Sequence, residues 1–281
     1  MSLSDRIIAS MRNWTFAMEP TAQERFGRIA AAQNEFGVDP FGLNLDFTLA
    51  ALAPMVWLYK NYFRVEAKGI ENLPEGRLLL ISNHSGQLPL DAAMIGVALF
   101  LLGEPPRAIR AMVEKWVPNL PYVSTFMARA GQVVGTPENC RRLLAADETI
   151  LVFPEGVRGI SKLYKNRYQL QEFGQGFMRL ALETDTPLVP VAVVGAEEQA
   201  PALVNLKPIA DLLGFPAFPL TPTVLPFPLP VKYHITFGKP MRFTGRPDDD
   251  DEELGRKVKA VKAEVQSMIN ASVQARKHVF W

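Results

Sequence analysis

The chain has 281 residues, of which 48% are apolar and 21% charged, a composition that supports a sizeable core and excludes a disordered protein. Its 30 Lys and Arg nearly balance 29 Asp and Glu, and the net charge of +1 therefore gives no reason to expect a nucleic-acid partner. The single cysteine, Cys140, excludes an internal disulfide, and three histidines exclude most zinc frameworks. We therefore expect no metal site and a reducing, cytosolic compartment.

Residues 1–60 predict a helical segment ahead of the main domain, at residues 61–281. Charged residues interrupt the apolar runs of the first 20 positions, so no signal peptide is predicted. The apolar run Phe47–Tyr59 would form a helix about 20 Å long, which is shorter than the roughly 30 Å hydrocarbon core of a bilayer. Pro54 also interrupts this run. We therefore expect a buried or interfacial helix there, and not a membrane-spanning one.

From residue 61 onward, apolar runs of strand length alternate with helical patterns. The predicted strands are Arg77–Ser82, Ala108–Val113, Gly131–Val134, Ile150–Phe153, Leu188–Gly195 and Val231–Phe237. The predicted helices among them are Asp91–Leu102, Glu138–Ala146 and Gly174–Glu183. This alternation predicts an α/β fold, with a largely parallel sheet flanked by helices.

The chain becomes rich in proline between residues 201 and 230. Six prolines lie between Pro216 and Pro230, and they exclude a helix or a central strand because proline lacks a backbone donor. Three phenylalanines in this stretch, Phe215, Phe218 and Phe227, suit a membrane surface or an acyl channel. A long loop packed on the sheet explains them equally well, and the sequence leaves both interpretations open.

The last segment predicts an amphipathic helix. Its apolar face consists of Leu254, Val258, Val261, Val265 and Met268. Six acids, Asp248–Glu253, lie at its start and several cations follow, an order that complements the helix dipole. We interpret these acids as structural, and not as an acidic binding tail.

The first motif that carries chemistry runs from Asn83 to Asp91, between a predicted strand and a predicted helix. A histidine at a strand end, followed by a carboxylate, is typical of a general base, because the carboxylate holds the imidazole tautomer and stabilises the imidazolium. Ser85 and Gly86 would let the backbone turn and leave room beside the His84 ring. Alternatively, Asp91 only caps the helix and His84 is a hydrogen-bonded turn residue.

The second motif, Phe153–Arg158, follows another predicted strand, where α/β folds place ligand sites. The fork of Arg158 suits a phosphate, and Glu155 can accept a hydrogen bond from a hydroxyl. Downstream there is a local excess of cations, formed by Lys162, Lys165, Arg167 and Arg179. A solvated basic loop is the simpler explanation of that excess.

Together with the V-P-V strand Leu188–Gly195, these motifs resemble the glycerolipid acyltransferases, the lysophosphatidate acyltransferase superfamily. That family carries an N-H-(x)₄-D block, an F-P-E-G-x-R block and a V-P-V strand in this order. The resemblance runs from about Asn61 to Gly238. This chain departs in having six residues between His84 and Asp91, and in having Thr136 where an arginine is common. Its spacing is more similar to the monoacylglycerol and diacylglycerol acyltransferase-like members.

The resemblance implies direct acyl transfer without a covalent acyl-enzyme. His84 would deprotonate an acceptor hydroxyl, Asp91 would orient His84, and the oxygen would attack the thioester of acyl-CoA or of an acyl-carrier protein. No cofactor beyond that co-substrate is implied. The implied substrate-binding residues are Ser85, Gly86, Phe153, Pro154, Glu155, Gly156 and Arg158.

A glycerolipid acceptor, with the apolar segments Phe47–Tyr59 and Leu213–Pro230, implies peripheral or monotopic association with the cytoplasmic side of a membrane. Trp57 and Lys60 belong to the mixture of aromatic and cationic residues that suits such an interface. The main alternative is a catalytically silent lipid-binding protein on the same fold, which would lack the His84–Asp91 geometry. A hydrolase of the α/β type is excluded because no G-x-S-x-G elbow occurs.

Overall fold

The structure is a computed structural model that describes residues 3–29, 34–84, 89–119, 122–206, 210, 219–221 and 228–280. Its strands are β1 (Glu66–Lys68), β2 (Leu78–Ser82), β3 (Ile109–Val113), β4 (Val133–Val134), β5 (Thr149–Val152), β6 (Leu188–Val194), β7 (Val204–Asn205), β8 (Pro219–Leu220) and β9 (His234–Phe237). Seven of them form one sheet in the order β1-β9-β6-β2-β5-β3-β4, and β7 and β8 form a separate pair.

The central sheet is mostly parallel. The five neighbouring strands from β6 to β4 all run in one direction, while β9 is antiparallel to β6 and β1 is parallel to β9. The predicted α/β class with a largely parallel sheet is therefore confirmed. The prediction of a strand from Val231 is too long at its start. The N–H groups of Val231 and Tyr233 donate to Leu229 and Phe63 and not to the sheet.

Helices cover both faces of this sheet. They are α1 (Leu3–Met18), α2 (Ala22–Gly27), α3 (Leu45–Trp57), α4 (Leu90–Leu102), α5 (Val123–Arg129), α6 (Pro137–Ala145), α7 (Val157–Ile160), α8 (Gly176–Thr184), α9 (Ala196–Gln199) and α10 (Asp251–Ala275). On β2, Leu79 and Ile81 face the core under α6, α8 and α10, whereas Leu78 and Leu80 face the core under α3 and α4. Because both faces are covered, strands β2 and β6 are buried along their whole length.

The predicted apolar helix near the N-terminus corresponds to α3 followed by a π-helical turn at Leu58–Tyr62. Asn44 begins α3, since its side chain accepts a hydrogen bond from the N–H of Phe47. One face of α3 packs against α1 and the core, while Trp57 remains 43% exposed. Within the described ranges, no helix has both the length and the apolarity needed to cross a bilayer.

The C-terminal helix α10 buries four of its five predicted apolar positions, Leu254, Val258, Val261 and Val265. Met268 is only partly buried, and the neighbouring Ile269 completes the stripe. The acids at its start make structural contacts. Asp250 accepts from the N–H of Glu253, Lys257 lies 3.0 Å from Asp249, and Arg179 lies 2.8 Å from Asp251.

Most of the proline-rich stretch, including Phe215, Phe218 and Phe227, lies outside the described residues. Its described part contributes β8, which pairs antiparallel with β7. Neither strand belongs to the central sheet, as the prolines predicted.

Candidate active site

The two motifs meet at one edge of the sheet. Strand β2 pairs with β5 on one side and with β6 on the other, and all three strands are parallel. Residues that follow β2 therefore emerge beside those that follow β5. Because carboxyl ends of parallel strands share one edge, His84 and the Phe153–Arg158 motif lie side by side.

Asn83 fixes the backbone just before His84. Its side chain is buried; its oxygen accepts from the N–H of Val193 at 2.8 Å, and its nitrogen donates to the carbonyl of Val193 at 2.9 Å. The amide of Asn83 thus pairs with β6 as a strand residue would. The sequence identified Asn83 as part of the motif, but its contact with a residue 110 positions away was not predicted.

His84 and Asp91 lie together. The distance from His84 Nδ1 to Asp91 Oδ2 is 2.7 Å, and the Asp91 side chain is fully buried. The other carboxylate oxygen, Oδ1, accepts from the N–H of Ala92 at 2.8 Å, at the start of α4. Asp91 therefore contacts its own helix terminus and the imidazole at the same time. Ser85 and Gly86, between them in the chain, lie outside the described residues.

This contact determines the imidazole tautomer. A carboxylate can only accept, so the hydrogen of a neutral ring lies on Nδ1 and the lone pair lies on Nε2. The His84 ring stacks on Phe153, with centroids 4.1 Å apart and an angle of 20° between the planes. The His84 side chain remains 17% exposed. The ring is therefore held in place while one part of it stays accessible.

The Glu155 side chain holds the backbone of His84 by a hydrogen bond. Its side chain is buried, and Oε1 accepts from the backbone N–H of His84 at 3.1 Å. Oε2 accepts from the N–H of Gln171 at 2.7 Å and lies 3.4 Å from Lys162 Nζ. The sequence predicted that Glu155 accepts from a hydroxyl of the acceptor; the structure brings its oxygens to protein donors.

The rest of the second motif lies around this carboxylate. The carbonyl of Pro154 accepts from the N–H of Gly174 at 3.0 Å. Gly156 begins α7 with φ of 56° and ψ of −144°, a conformation that favours glycine. Arg158 is exposed, and its Nη2 donates to the carbonyl of Glu172 at 3.0 Å. Arg158 is thus available at the surface, and its predicted contact with a head group stays a prediction.

Gly159 is a site residue that the sequence analysis missed. A Cβ at this position would lie 3.0 Å from the Cβ of His84, 3.1 Å from the His84 carbonyl oxygen and 3.1 Å from the Cβ of Glu155. Helix α7 therefore packs directly on the histidine because residue 159 lacks a side chain. The only signal in the sequence is a glycine one position after the motif.

One residue of the predicted excess of cations is buried and pairs with two carboxylates inside the protein. Lys162 is buried, at 3% side-chain exposure, between Glu155 and Glu197, whereas Lys165 and Arg167 are exposed. Burial raises the pKa of Glu197 to about 6, although the nearby Lys162 ammonium lowers it. Lys162 therefore does not belong to a solvated basic loop.

Two further positions have local explanations. Thr136, which stands where the family commonly has an arginine, caps α6 by accepting from the N–H of Asn139 at 3.2 Å. Burial raises the pKa of the Cys140 thiol to about 11, so this residue stays protonated at neutral pH and is a poor nucleophile. In the part of the chain that is described, no group of three His, Cys, Asp or Glu side chains could hold a metal ion.

The arrangement is chemically suited to proton abstraction. A neutral imidazole with its lone pair on Nε2 can take a proton, and the buried carboxylate at Nδ1 stabilises the imidazolium that forms.

Comparisons with known proteins indicate an acyltransferase family. A family model described as "Acyltransferase" matches residues 64–194, a range that contains both motifs. An uncharacterized protein of Mycobacterium leprae is 37% identical over 260 residues, which cover 88% of this chain and 71% of that protein. A Mus musculus protein described as a "DGAT1/2-independent enzyme synthesizing storage lipids" is 26% identical over 199 residues, which cover 70% of this chain and 58% of that protein.

Among solved structures, the chain is similar to the 1-acyl-sn-glycerophosphate (LPA) acyltransferase PlsC of Thermotoga maritima. The TM-score is 0.55 and the sequence identity is 15%, with 96% of this chain and 97% of that chain covered. At this identity, the match establishes the fold.

Proposed function

The chain belongs to the glycerolipid acyltransferase superfamily, and on that premise we propose that it moves a fatty acyl group from acyl-CoA or an acyl-carrier protein to a hydroxyl of a glycerolipid or lysophospholipid. The observation that carries this proposal is the 2.7 Å contact between His84 Nδ1 and Asp91 Oδ2 at the carboxyl edge of the sheet. A catalytically silent lipid-binding protein would have no need of a buried carboxylate held against an accessible imidazole.

The acyl group passes directly from donor to acceptor, without a covalent acyl-enzyme. Nε2 of His84 takes the proton from the acceptor hydroxyl as its oxygen attacks the thioester carbonyl. Asp91 stabilises the resulting imidazolium. The tetrahedral intermediate collapses as the carbon–sulfur bond breaks, and the thiolate leaves with the electron pair, taking the proton from His84 or from water. Holding both reactants together contributes on the order of 7–11 kcal/mol to such a reaction.

The acceptor is either a neutral acylglycerol or a phosphorylated glycerolipid. The six-residue spacing between His84 and Asp91 favours the neutral class, as does the name of the mouse relative. Exposed Arg158, beside the Glu155 loop, suits a phosphate. The acceptor panel below distinguishes the two classes.

Such an acceptor resides in a bilayer, so the protein associates peripherally or monotopically with the cytoplasmic side of a membrane. Exposed apolar side chains near the N-terminus support this, since Ile7 is 51%, Trp14 44% and Trp57 43% exposed. Flotation with phospholipid vesicles measures it. Protein that stays entirely in the salt-washed soluble fraction and does not float would contradict the association.

The activity is tested with purified protein comprising residues 1–281 and labelled oleoyl-CoA. The acceptors are lysophosphatidate, other lysophospholipids, monoacylglycerol and diacylglycerol. We expect transfer to one class of acceptor, its loss in His84→Ala, and its retention in His278→Ala, which removes an exposed histidine near the C-terminus. If neither oleoyl-CoA nor an acyl-carrier protein serves as donor while lipid still binds, the silent lipid-binding protein is the better interpretation.

A further inference from the structure

Lys162 is a buried ammonium next to the candidate catalytic residues. Its Nζ lies 3.4 Å from Oε2 of Glu155 and 3.2 Å from Oε1 of Glu197. The exposed fractions of the three side chains are 3%, 0% and 8%. An unpaired buried ammonium is strongly destabilising, so this location requires the carboxylates.

Each carboxylate also holds a backbone N–H of a different segment. Glu155 accepts from His84 at 3.1 Å and from Gln171 at 2.7 Å. Glu197, at the start of α9, accepts from Tyr168 at 3.0 Å. Lys162 therefore joins the loop that follows β5 to the helix that follows β6, and through Glu155 it reaches the backbone of His84.

The geometry points to Lys162 as a positioning residue for acyl transfer: its ammonium holds the Glu155 carboxylate in place, and Glu155 in turn fixes the backbone of His84. The Lys162 side chain is only 3% exposed, so we assign it a role through Glu155 and no direct role in catalysis. This inference rests on the proposed function and adds to it a residue that lies outside both motifs.

Removing the ammonium has a defined consequence. Glu155 and Glu197 would then be left in a buried space without the cation between them, so their mutual repulsion would displace one of them. A displaced Glu155 would weaken the hydrogen bond that it accepts from the N–H of His84. Since the displaced group is the proposed base, we expect the loss in the chemical step.

The test compares Lys162→Met with Lys165→Met, which makes the same substitution at an exposed lysine three residues along. We expect kcat to fall about 10- to 100-fold in Lys162→Met, as a misplaced base predicts, with KM for donor and acceptor within about twofold of wild type. Lys165→Met should retain both constants. The imidazole resonances provide a second readout without substrate, because the chain has only three histidines and His84→Ala assigns one of them. The His84 resonances should shift in Lys162→Met and not in Lys165→Met.

A double variant, Lys162→Met with Glu197→Gln, separates positioning from folding. It removes one positive and one negative charge, so it relieves the repulsion that could unfold the single variant. Glu155 is still left without its cation, and we expect low kcat and shifted His84 resonances to persist. Wild-type kcat in either folded variant would overturn the role of Lys162. Absence of transfer by the wild-type protein would instead refute the proposed function, and the role of Lys162 with it.

Discussion

Asp91→Asn is the most informative single perturbation of the site, because the substitution leaves the side-chain volume unchanged. In the wild type, Oδ1 accepts from the N–H of Ala92 and Oδ2 lies 2.7 Å from His84 Nδ1. An asparagine keeps the first contact only if its amide oxygen faces Ala92. Its NH₂ group then faces His84 and donates to Nδ1, so the ring hydrogen moves to Nε2 and the lone pair turns away from the acceptor.

The variant also loses the charge that stabilises the imidazolium. Two unit charges about 4 Å apart attract by about 4 kcal/mol at an effective dielectric constant of about 20. Since each 1.4 kcal/mol corresponds to about a tenfold change in rate, we expect kcat/KM to fall about 1,000-fold. The hydrogen bonds of residue 91 to Ala92 and His84 can still form, so the free energy of unfolding should change by less than about 1 kcal/mol.

Initial rates of acyl transfer measure the loss, and the thermal midpoint reports the fold. Asp185→Asn is a matched control because Asp185 is exposed and its left-handed conformation also suits asparagine. Nitrogen chemical shifts of the His84 ring report the tautomer directly. A variant that retains more than about a tenth of wild-type kcat/KM would refute the reasoning. A ring that still carries its hydrogen on Nδ1 would refute the tautomer argument specifically.

Two further predictions follow from the same region. Gly159→Ala places a methyl group 3.0 Å from the Cβ of His84 and should lower kcat about tenfold. Gly176→Ala, with open space around its Cβ, should leave kcat unchanged. Equal rates of acyl transfer in both variants would contradict the close packing of α7. Because burial raises the pKa of Glu197 from 4.5 to about 6, its stabilising effect is complete below pH 4.5 and is lost as the pH rises through 6. Glu197→Gln should therefore gain about 2 kcal/mol relative to wild type between pH 4.5 and 7.5, as followed by denaturant unfolding, and a pH-independent difference would contradict this pKa.

Much of the site is encoded locally. His84 and the Phe153–Arg158 motif each follow an apolar strand, and parallel strands deliver such residues to one edge, so their proximity is predictable. The roles of Asn83 and Gly159 were not predictable, because each depends on a neighbour distant in the chain. Asn83 pairs with Val193, and Gly159 packs on His84.

The amino-acid sequence by itself determined the α/β class, the positions of the central strands and the residues of the two motifs, because apolar periodicity and motif spacing are properties of short segments. Tertiary structure alone decided whether His84 and Asp91 meet across six intervening residues, and in which direction Glu155 and Lys162 point. Lys162 belongs to a run of cations that the sequence predicts to be solvated. It is buried because Glu197, 35 residues later, lies beside it. The physical reason is that the cost of burying a charge depends on its partners, and folding brings those partners from distant parts of the chain.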